Sequence, residues 1–237
     1  MADRIAYSHE GLPLTGQLYR PDGQAKAAVL VIPTIAGPNP PIFRRAEMLA
    51  DLGYIAFVAD YYGRDWTDFA GMDEIRQAAD ALKADPRIYR NRFHAALEAF
   101  RTLPEAQGVK MAMVGYCMGG QVVCELARDG VKLACGVSFH GDLATALPAE
   151  AGAVHTPLLL CHGHLDPLVP PALVARFQAE MDAAGADWTM QIYSHARHGF
   201  TDPEIDRRGI AAVAYNKSAD HQSWDAMRSF FRLHLDP

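Results

Sequence analysis

The alternation of short apolar runs with longer amphipathic runs is the feature that most constrains what this chain can fold into. The apolar runs are five to seven residues long, contain many β-branched side chains and are bounded by Gly, Pro or Asp. Runs of this length favour strands, whereas longer runs with apolar residues at helical spacing favour helices. Continuous apolar strands alternating with helices are typical of a mostly parallel sheet covered on both faces. The pattern therefore predicts an α/β fold.

Seven strands and six helices are predicted from these runs. The predicted strands are Leu14–Tyr19, Ala27–Ile32, Tyr54–Ala59, Lys110–Val114, Leu133–Phe139, Pro157–Cys161 and Trp188–Tyr193. The predicted helices are Ile42–Leu52, Asp73–Lys83, Arg87–Arg101, Gly119–Arg128, Pro171–Ala184 and about Ser218–Leu233. Phe93, Leu97 and Phe100 recur at helical spacing, so we expect them to pack against the sheet. No linker or repeat interrupts the chain, and we predict a single domain over residues 1–237.

Charge and cysteine content exclude several classes of function. The formal net charge of −6 repels a phosphate backbone, so nucleic acid is not an expected partner. The least charged stretches, 27–43 and 111–124, are shorter than the roughly 18 apolar residues of a membrane-spanning helix. Charged residues near the start of the chain do not match a secretory signal. The four cysteines form no Cys-x-x-Cys pair. We therefore expect a cytoplasmic protein with no membrane contact.

The sharpest motif is a Gly-x-Cys-x-Gly turn that follows a predicted strand and opens an apolar helix. It comprises Gly115, Cys117 and Gly119. This is the spacing of a nucleophile elbow, with Cys in place of the more usual Ser. The glycines are expected where a side chain would clash with neighbouring backbone. The position at a helix amino terminus favours the thiolate of Cys117 over the thiol.

An acid and a histidine follow this cysteine in the chain order of an α/β-hydrolase triad. The candidate acid is Asp166 and the candidate base is His198, and each lies just past a predicted strand. The carboxyl ends of parallel strands meet at one edge of the sheet, so all three side chains are expected on the same rim.

Other residues compete for each of these roles. Asp142 also follows a strand, but Asp166 is nearer the histidine loop in sequence and sheet order. His195 is the alternative base, placed at the end of a strand, whereas His198 precedes a glycine that lets the loop turn inward. His162 and His164 are interpreted as loop-structuring residues. The remaining histidines are interpreted as surface or core residues: His9, His94, His140, His155, His221 and His234. The other cysteines are interpreted as packing residues: Cys124, Cys135 and Cys161.

Three motifs together resemble the dienelactone hydrolase family of α/β-hydrolases. They are Gly-Tyr-Cys-Met-Gly-Gly at 115–120, His-Gly-His-Leu-Asp-Pro-Leu-Val-Pro at 162–170 and His-Gly-Phe at 198–200. The similarity extends from about Gly16 to Phe231 and includes the segment 53–63. The resemblance implies an α/β-hydrolase fold, hydrolysis of a small-molecule ester or lactone, and no metal or organic cofactor.

The resemblance also implies a role for each candidate residue. Cys117 would be the nucleophile, Asp166 the orienting acid and His198 the general base. The oxyanion would be held by the backbone N–H of Met118 and by one from the loop after the strand Ala27–Ile32, for which we choose Ile35.

Two positions depart from the archetypal family pattern. Thr34 stands where archetypal members have a glutamate in the oxyanion loop. Asp202 stands where they have an arginine that binds the substrate carboxylate. The inverted charge predicts a substrate with a less acidic acyl part than the dienelactone.

Several questions stay open from the sequence. A cysteine-dependent thioesterase or peptidase, a broad-specificity carboxylesterase and a non-catalytic ligand-binding protein of the same fold are alternative functions. The segment Tyr61–Asp85 is either a lid or pocket wall or a simple helical excursion. A monomer or a small homo-oligomer fits the sequence equally.

Overall fold

Eight strands and six α-helices lie within residues 2–236, the part of the chain that the computed structural model describes. The strands are β1 (Asp3–His9), β2 (Leu12–Tyr19), β3 (Ala27–Ile32), β4 (Tyr54–Val58), β5 (Met111–Tyr116), β6 (Cys135–Phe139), β7 (Leu158–Gly163) and β8 (Trp188–Tyr193). The helices are α1 (Pro40–Asp51), α2 (Met72–Lys83), α3 (Pro86–Arg101), α4 (Met118–Arg128), α5 (Pro171–Ala183) and α6 (Lys217–Leu235). The predicted domain limits, residues 1 and 237, lie outside the described residues.

The chain divides into two compact units at β5. The first unit ends at Met113 and the second begins at Val114. In the first unit the strand order is β1-β2-β4-β3, with β3 parallel to β4 and the other two neighbouring pairs antiparallel. Every residue of β3 and β4 is buried, as expected for parallel strands covered on both faces.

Helix α3 packs an apolar stripe onto the strands of the first unit. Phe93, Leu97 and Phe100 are fully buried, and the ring of Phe100 stacks on that of Phe57 in β4 with centroids 5.1 Å apart. The predicted stripe is therefore confirmed. The helix begins where the side chain of Asp85 accepts hydrogen bonds from the N–H groups of Arg87 and Ile88.

In the second unit the strand order is β5-β6-β7-β8, and β6, β7 and β8 are parallel. Strands β6 and β7 are completely buried, whereas β8, at the end of this order, is half exposed. The loops after β5, β6, β7 and β8 carry Cys117, His140, Asp166 and His198. Parallel strands present such loops at one edge of the sheet, where ligands bind in α/β proteins.

The predicted elements are all present, and the differences have local causes. Helices α1 and α3 begin earlier than predicted because proline is accommodated in the first helical turn. Strand β5 continues to Tyr116, directly before the nucleophile turn. Strand β7 continues through Gly163, so the interpretation of His162 as a loop residue is wrong. Strand β1 was not predicted.

Among residues 2–236 no helix combines the length and apolar character needed to cross a membrane.

Candidate active site

The nucleophile turn is held by close backbone packing. Cys117 has φ 55° and ψ −115°, a conformation rarely adopted by a residue with a side chain. A Cβ atom on Gly115 would lie 2.0 Å from the carbonyl oxygen of Gly119, so only glycine fits there. A Cβ on Gly120 would lie 2.7 Å from the Cα of Gly141, a requirement that sequence reasoning missed. The turn thus matches the predicted nucleophile elbow, with Cys117 half-buried at the start of α4.

Asp166 and His198 form a buried hydrogen-bonded pair. His198 Nδ1 lies 2.8 Å from Asp166 Oδ2, while Asp166 Oδ1 accepts a hydrogen bond from the N–H of Leu168. The contact assigns the proton to Nδ1, which leaves Nε2 directed away from the acid. Nε2 is buried and has no hydrogen-bond partner of ordinary geometry among residues 2–236. The ring is therefore oriented by its acid with the second nitrogen available for proton transfer.

The charge of Cys117 acts strongly on His198. Burial by itself lowers the pKa of His198, but the negative charge of Cys117 and the hydrogen bond to Asp166 outweigh it and raise the pKa to about 10. The raised pKa favours the imidazolium form of His198 beside a charged Cys117. A thiolate–imidazolium pair is the activated form that cysteine nucleophiles use.

The competing residues do not join this site. Asp142 uses its carboxylate to accept a hydrogen bond from the N–H of Ala144, which stabilises its own loop. His195 lies exposed in the turn after β8. Gly199, directly after His198, has φ 72°, which agrees with the predicted inward turn of that loop.

The three other cysteines are buried. Cys124 and Cys161 each have a pKa raised to about 12, mainly because burial disfavours the thiolate. Cys135 is fully buried in β6. They are inert packing residues, as the sequence predicted.

The two predicted oxyanion donors lie in different units of the chain. Met118 is the first residue of α4, so its N–H has no partner within the helix. Ile35 belongs to the loop after β3 in the first unit. Two tyrosine hydroxyls hold that loop: Tyr61 donates to the carbonyl of Thr34, and Tyr62 donates to the carbonyl of Ile35 at 3.0 Å. This backbone is therefore fixed by side chains of the following segment.

Thr34 and the segment Tyr61–Asp85 stabilise the same loop. The hydroxyl oxygen of Thr34 accepts from the amide of Asn39 at 3.3 Å and from the N–H of Ala36 at 3.4 Å. Ala36 packs with Phe69 and Ile75 in a small apolar cluster. The segment is thus packed against the loop, and its second half is the helix α2 (Met72–Lys83).

Asp202 is paired with an arginine. Its carboxylate lies 3.7 Å from the guanidinium of Arg208 and accepts a hydrogen bond from the N–H of Glu204. The negative charge of Asp202 is therefore partly neutralised by Arg208.

His140 and Thr201 were missed as parts of the site. His140 is buried directly after β6 and bonds to both the nucleophile turn and Thr201. The signal was available, because polar residues just after a strand were the criterion that selected Asp142 and Asp166.

The fold and the arrangement of Cys117, His198 and Asp166 define an α/β-hydrolase. The model of the dienelactone hydrolase family matches residues 14–235. This chain belongs to the dienelactone hydrolase family and is an ester or lactone hydrolase.

Individual relatives agree with this assignment. A solved structure described as "m3DLH" is 33% identical with a TM-score of 0.92, covering 100% of this chain and 99% of that chain. A dienelactone hydrolase-like promiscuous phosphotriesterase from metagenomic libraries is 32% identical with a TM-score of 0.92, covering 99% and 98%. A carboxymethylenebutenolidase homolog of Xenopus tropicalis is 23% identical over 212 residues, covering 84% of this chain and 82% of that protein.

No group of three or more His, Cys, Asp or Glu side chains within residues 2–236 is placed to hold a metal ion.

Proposed function

We propose that this hydrolase cleaves carboxylic esters or lactones through a covalent intermediate on Cys117. The proposal rests on the buried Asp166–His198 pair, because the charge of Cys117 raises the pKa of the His198 imidazole. Cys117 acts as nucleophile, His198 as proton donor and acceptor, and Asp166 orients the imidazole and stabilises its charge.

Acylation starts from the thiolate–imidazolium pair. The sulfur of Cys117 attacks the carbonyl carbon, a C–S bond forms and the carbonyl electron pair moves to oxygen. The N–H of Met118, with that of Ile35 as the predicted second donor, stabilises this oxyanion. When the intermediate collapses, the C–O bond to the leaving group breaks and the departing oxygen takes the proton from His198 Nε2.

Deacylation restores the starting pair. Neutral His198 takes a proton from water while the water oxygen attacks the thioester carbonyl. Collapse of the second tetrahedral intermediate breaks the C–S bond, which releases the carboxylic acid and the Cys117 thiolate. Cys117 and water supply the attacking electron pairs and His198 transfers the protons, so the proposed reaction calls for no cofactor.

The triad is tested by matched pairs of variants. We expect Cys117→Ala and His198→Gln to lower kcat by about 10³-fold or more with p-nitrophenyl acetate, because triad members act as a unit. His195→Gln replaces the exposed histidine three residues away and should retain full activity. A His195 variant as impaired as the His198 variant would overturn the assignment of the base.

We propose further that the substrate has an uncharged acyl part. Arg208 is paired with Asp202, so the pair has little net charge to attract a substrate carboxylate. Neutral esters and lactones should therefore turn over faster than a lactone bearing a carboxylate. Asp202→Asn frees Arg208 and should raise kcat/KM for the carboxylate-bearing lactone without raising it for the neutral ester. Faster turnover of the charged lactone by the wild type would contradict this preference.

The same panel separates the remaining activities. An acyl-thioester tests the thioesterase alternative, since the leaving group is selected by the pocket rather than by the triad. A phosphotriester belongs in the panel because a relative 32% identical is described as a promiscuous phosphotriesterase.

We propose that the protein works in the cytoplasm as a single domain over residues 1–237. The four cysteines, none of which forms a disulfide, support the compartment. The family match across both units supports the single domain. A monomer or small homo-oligomer stays a prediction.

A further inference from the structure

His140 lies between the turn that carries the nucleophile and the loop that carries the base. The N–H of Cys117 points to His140 Nδ1 at 3.2 Å and also to the carbonyl oxygen of Phe139 at 3.0 Å. On the other side of the ring, Nε2 lies 2.8 Å from the hydroxyl of Thr201, three residues after His198. His140 and Thr201 are both buried. The imidazole thus bridges two segments that contain triad residues.

These contacts define the tautomer of His140. Nδ1 receives the N–H of Cys117 and therefore carries no proton. The proton is on Nε2 and is donated to the hydroxyl oxygen of Thr201. The ring is neutral in this arrangement, since a proton on Nδ1 would face the N–H of Cys117.

Both ends of the Cys117–His140 contact have unusual backbone geometry. Cys117 has φ 55° and His140 has φ 40°, in the region that residues with a side chain rarely occupy. A Cβ on Gly141 would lie 2.5 Å from the carbonyl carbon of Gly120, so the two segments are in direct backbone contact. Such conformations persist only where the surroundings fix them. The hydrogen bond from Cys117 to His140 is one of the contacts that do so.

The ring of His140 also packs against the base. Its centroid lies 5.2 Å from that of His198 with the ring planes at 65°, and 5.1 Å from that of Phe200. This contact restricts rotation of the His198 imidazole away from Asp166. His140 packs against the ring of His198 and accepts a hydrogen bond from the backbone N–H of Cys117. These contacts do not include the sulfur of Cys117 or Nε2 of His198.

We propose that His140 is a positioning residue, which aligns Cys117 with His198 by bridging their segments through Thr201. The inference rests on the proposed function, because it assumes that alignment of the thiolate with the imidazolium limits turnover. A misplacement of about 1 Å can slow such a reaction by about 10²-fold.

Four variants separate positioning from simple packing. His140→Phe keeps a ring and loses both hydrogen bonds. His140→Asn keeps an acceptor at the δ position for the N–H of Cys117 and loses the bond to Thr201. Thr201→Val removes the hydroxyl that bonds to His140, and Thr201→Ser retains a hydroxyl there. His155→Asn, at an exposed histidine in the same unit, is the control.

With p-nitrophenyl acetate we expect kcat to fall about ten- to hundredfold in His140→Phe and less in His140→Asn and Thr201→Val, with KM changed less than about twofold. Thr201→Ser and the control should match the wild type. The His140→Phe/Thr201→Val double variant should be no slower than His140→Phe alone, because both substitutions remove the same His140–Thr201 hydrogen bond.

The second readout is the pH dependence of Cys117 alkylation by iodoacetamide, which a residue that only fills space would not change. We expect its midpoint to rise in His140→Phe and Thr201→Val and to return to the wild-type value in Thr201→Ser. Unchanged kcat and an unchanged midpoint in folded Thr201→Val would overturn the inference even if His140→Phe fails to fold. If the wild type does not hydrolyse the ester, the proposed function fails, whereas the alkylation profiles still decide the role of His140.

Discussion

At the scale of single residues, the pKa of His198 reports most directly on the coupling between Cys117 and the Asp166–His198 pair. Its pKa of about 10 depends chiefly on the charge of Cys117, acting against burial, and on the hydrogen bond to Asp166. The raised pKa favours the imidazolium at neutral pH, and the proton is lost as the pH rises through about 10. A proton donor for the leaving group is present below that pH and absent above it.

Cys117→Ala should lower the pKa of His198 well below 10, because it removes the largest contribution that raises it. NMR titration of the His198 ring protons measures this directly. Cys124→Ala, which removes a buried neutral thiol, should leave the titration unchanged. A pKa that remains near 10 in Cys117→Ala would show that Cys117 and His198 are not coupled.

At the scale of elements, the loop after β3 depends on the segment that follows β4. Tyr61 donates to the carbonyl of Thr34, which belongs to the same peptide group as the N–H of Ile35. Fixing the carbonyl fixes the N–H, and the N–H is the predicted oxyanion donor. The hydroxyl of Tyr61 also accepts from the N–H of Gly37 at 3.1 Å.

Tyr61→Phe should therefore reduce kcat about three- to thirtyfold, less than the 10²–10³-fold cost of losing a donor outright. Steady-state kinetics with a neutral ester measure the effect, with KM nearly unchanged. Tyr19→Phe is the matched control. Tyr19 is a buried tyrosine of β2, and its hydroxyl donates to the side chain of Gln17. Equal kcat in both variants would show that the Thr34–Ile35 peptide held by Tyr61 does not contribute to catalysis.

Helices α4 and α5 are joined by a buried ion-pair cluster. Arg128 has a fully buried side chain that binds Glu125 at 2.9 Å and Glu180 at 2.8 Å. It also donates to the carbonyl of Leu143 at 2.9 Å. Removing one member of such a cluster leaves buried charges without a partner.

Arg128→Met should lower the free energy of unfolding by about 3 kcal/mol. Arg101→Met removes the exposed Arg101–Glu98 pair and should cost less than about 1 kcal/mol. Urea unfolding of both variants provides the comparison. Similar losses in the two would show that the buried cluster around Arg128 stabilises the protein no more than an exposed ion pair does.

At the scale of the whole molecule, the sequence predicted the elements whose burial is reflected in composition. Strands β3 and β8 have their predicted bounds because an apolar or alternating run ends where the strand ends. Strand β1 was not predicted because Asp3–His9 is mostly exposed and polar, and only its pairing with β2 makes it a strand. Chain order and strand ends were enough to nominate the triad. The bridging role of His140 was hidden because it depends on a φ of 40° and on contacts across 61 residues of sequence.

Rapid mixing with p-nitrophenyl acetate shows whether Cys117 forms an acyl-enzyme. Stopped-flow absorbance with acid quenching and peptide mass spectrometry follows both the p-nitrophenolate released and the acetyl group left on the chain. We predict a burst of one p-nitrophenolate per chain with the acetyl group on Cys117, and no burst in Cys117→Ala. An acetyl group on another residue, or steady turnover by Cys117→Ala at the wild-type rate, would contradict the account.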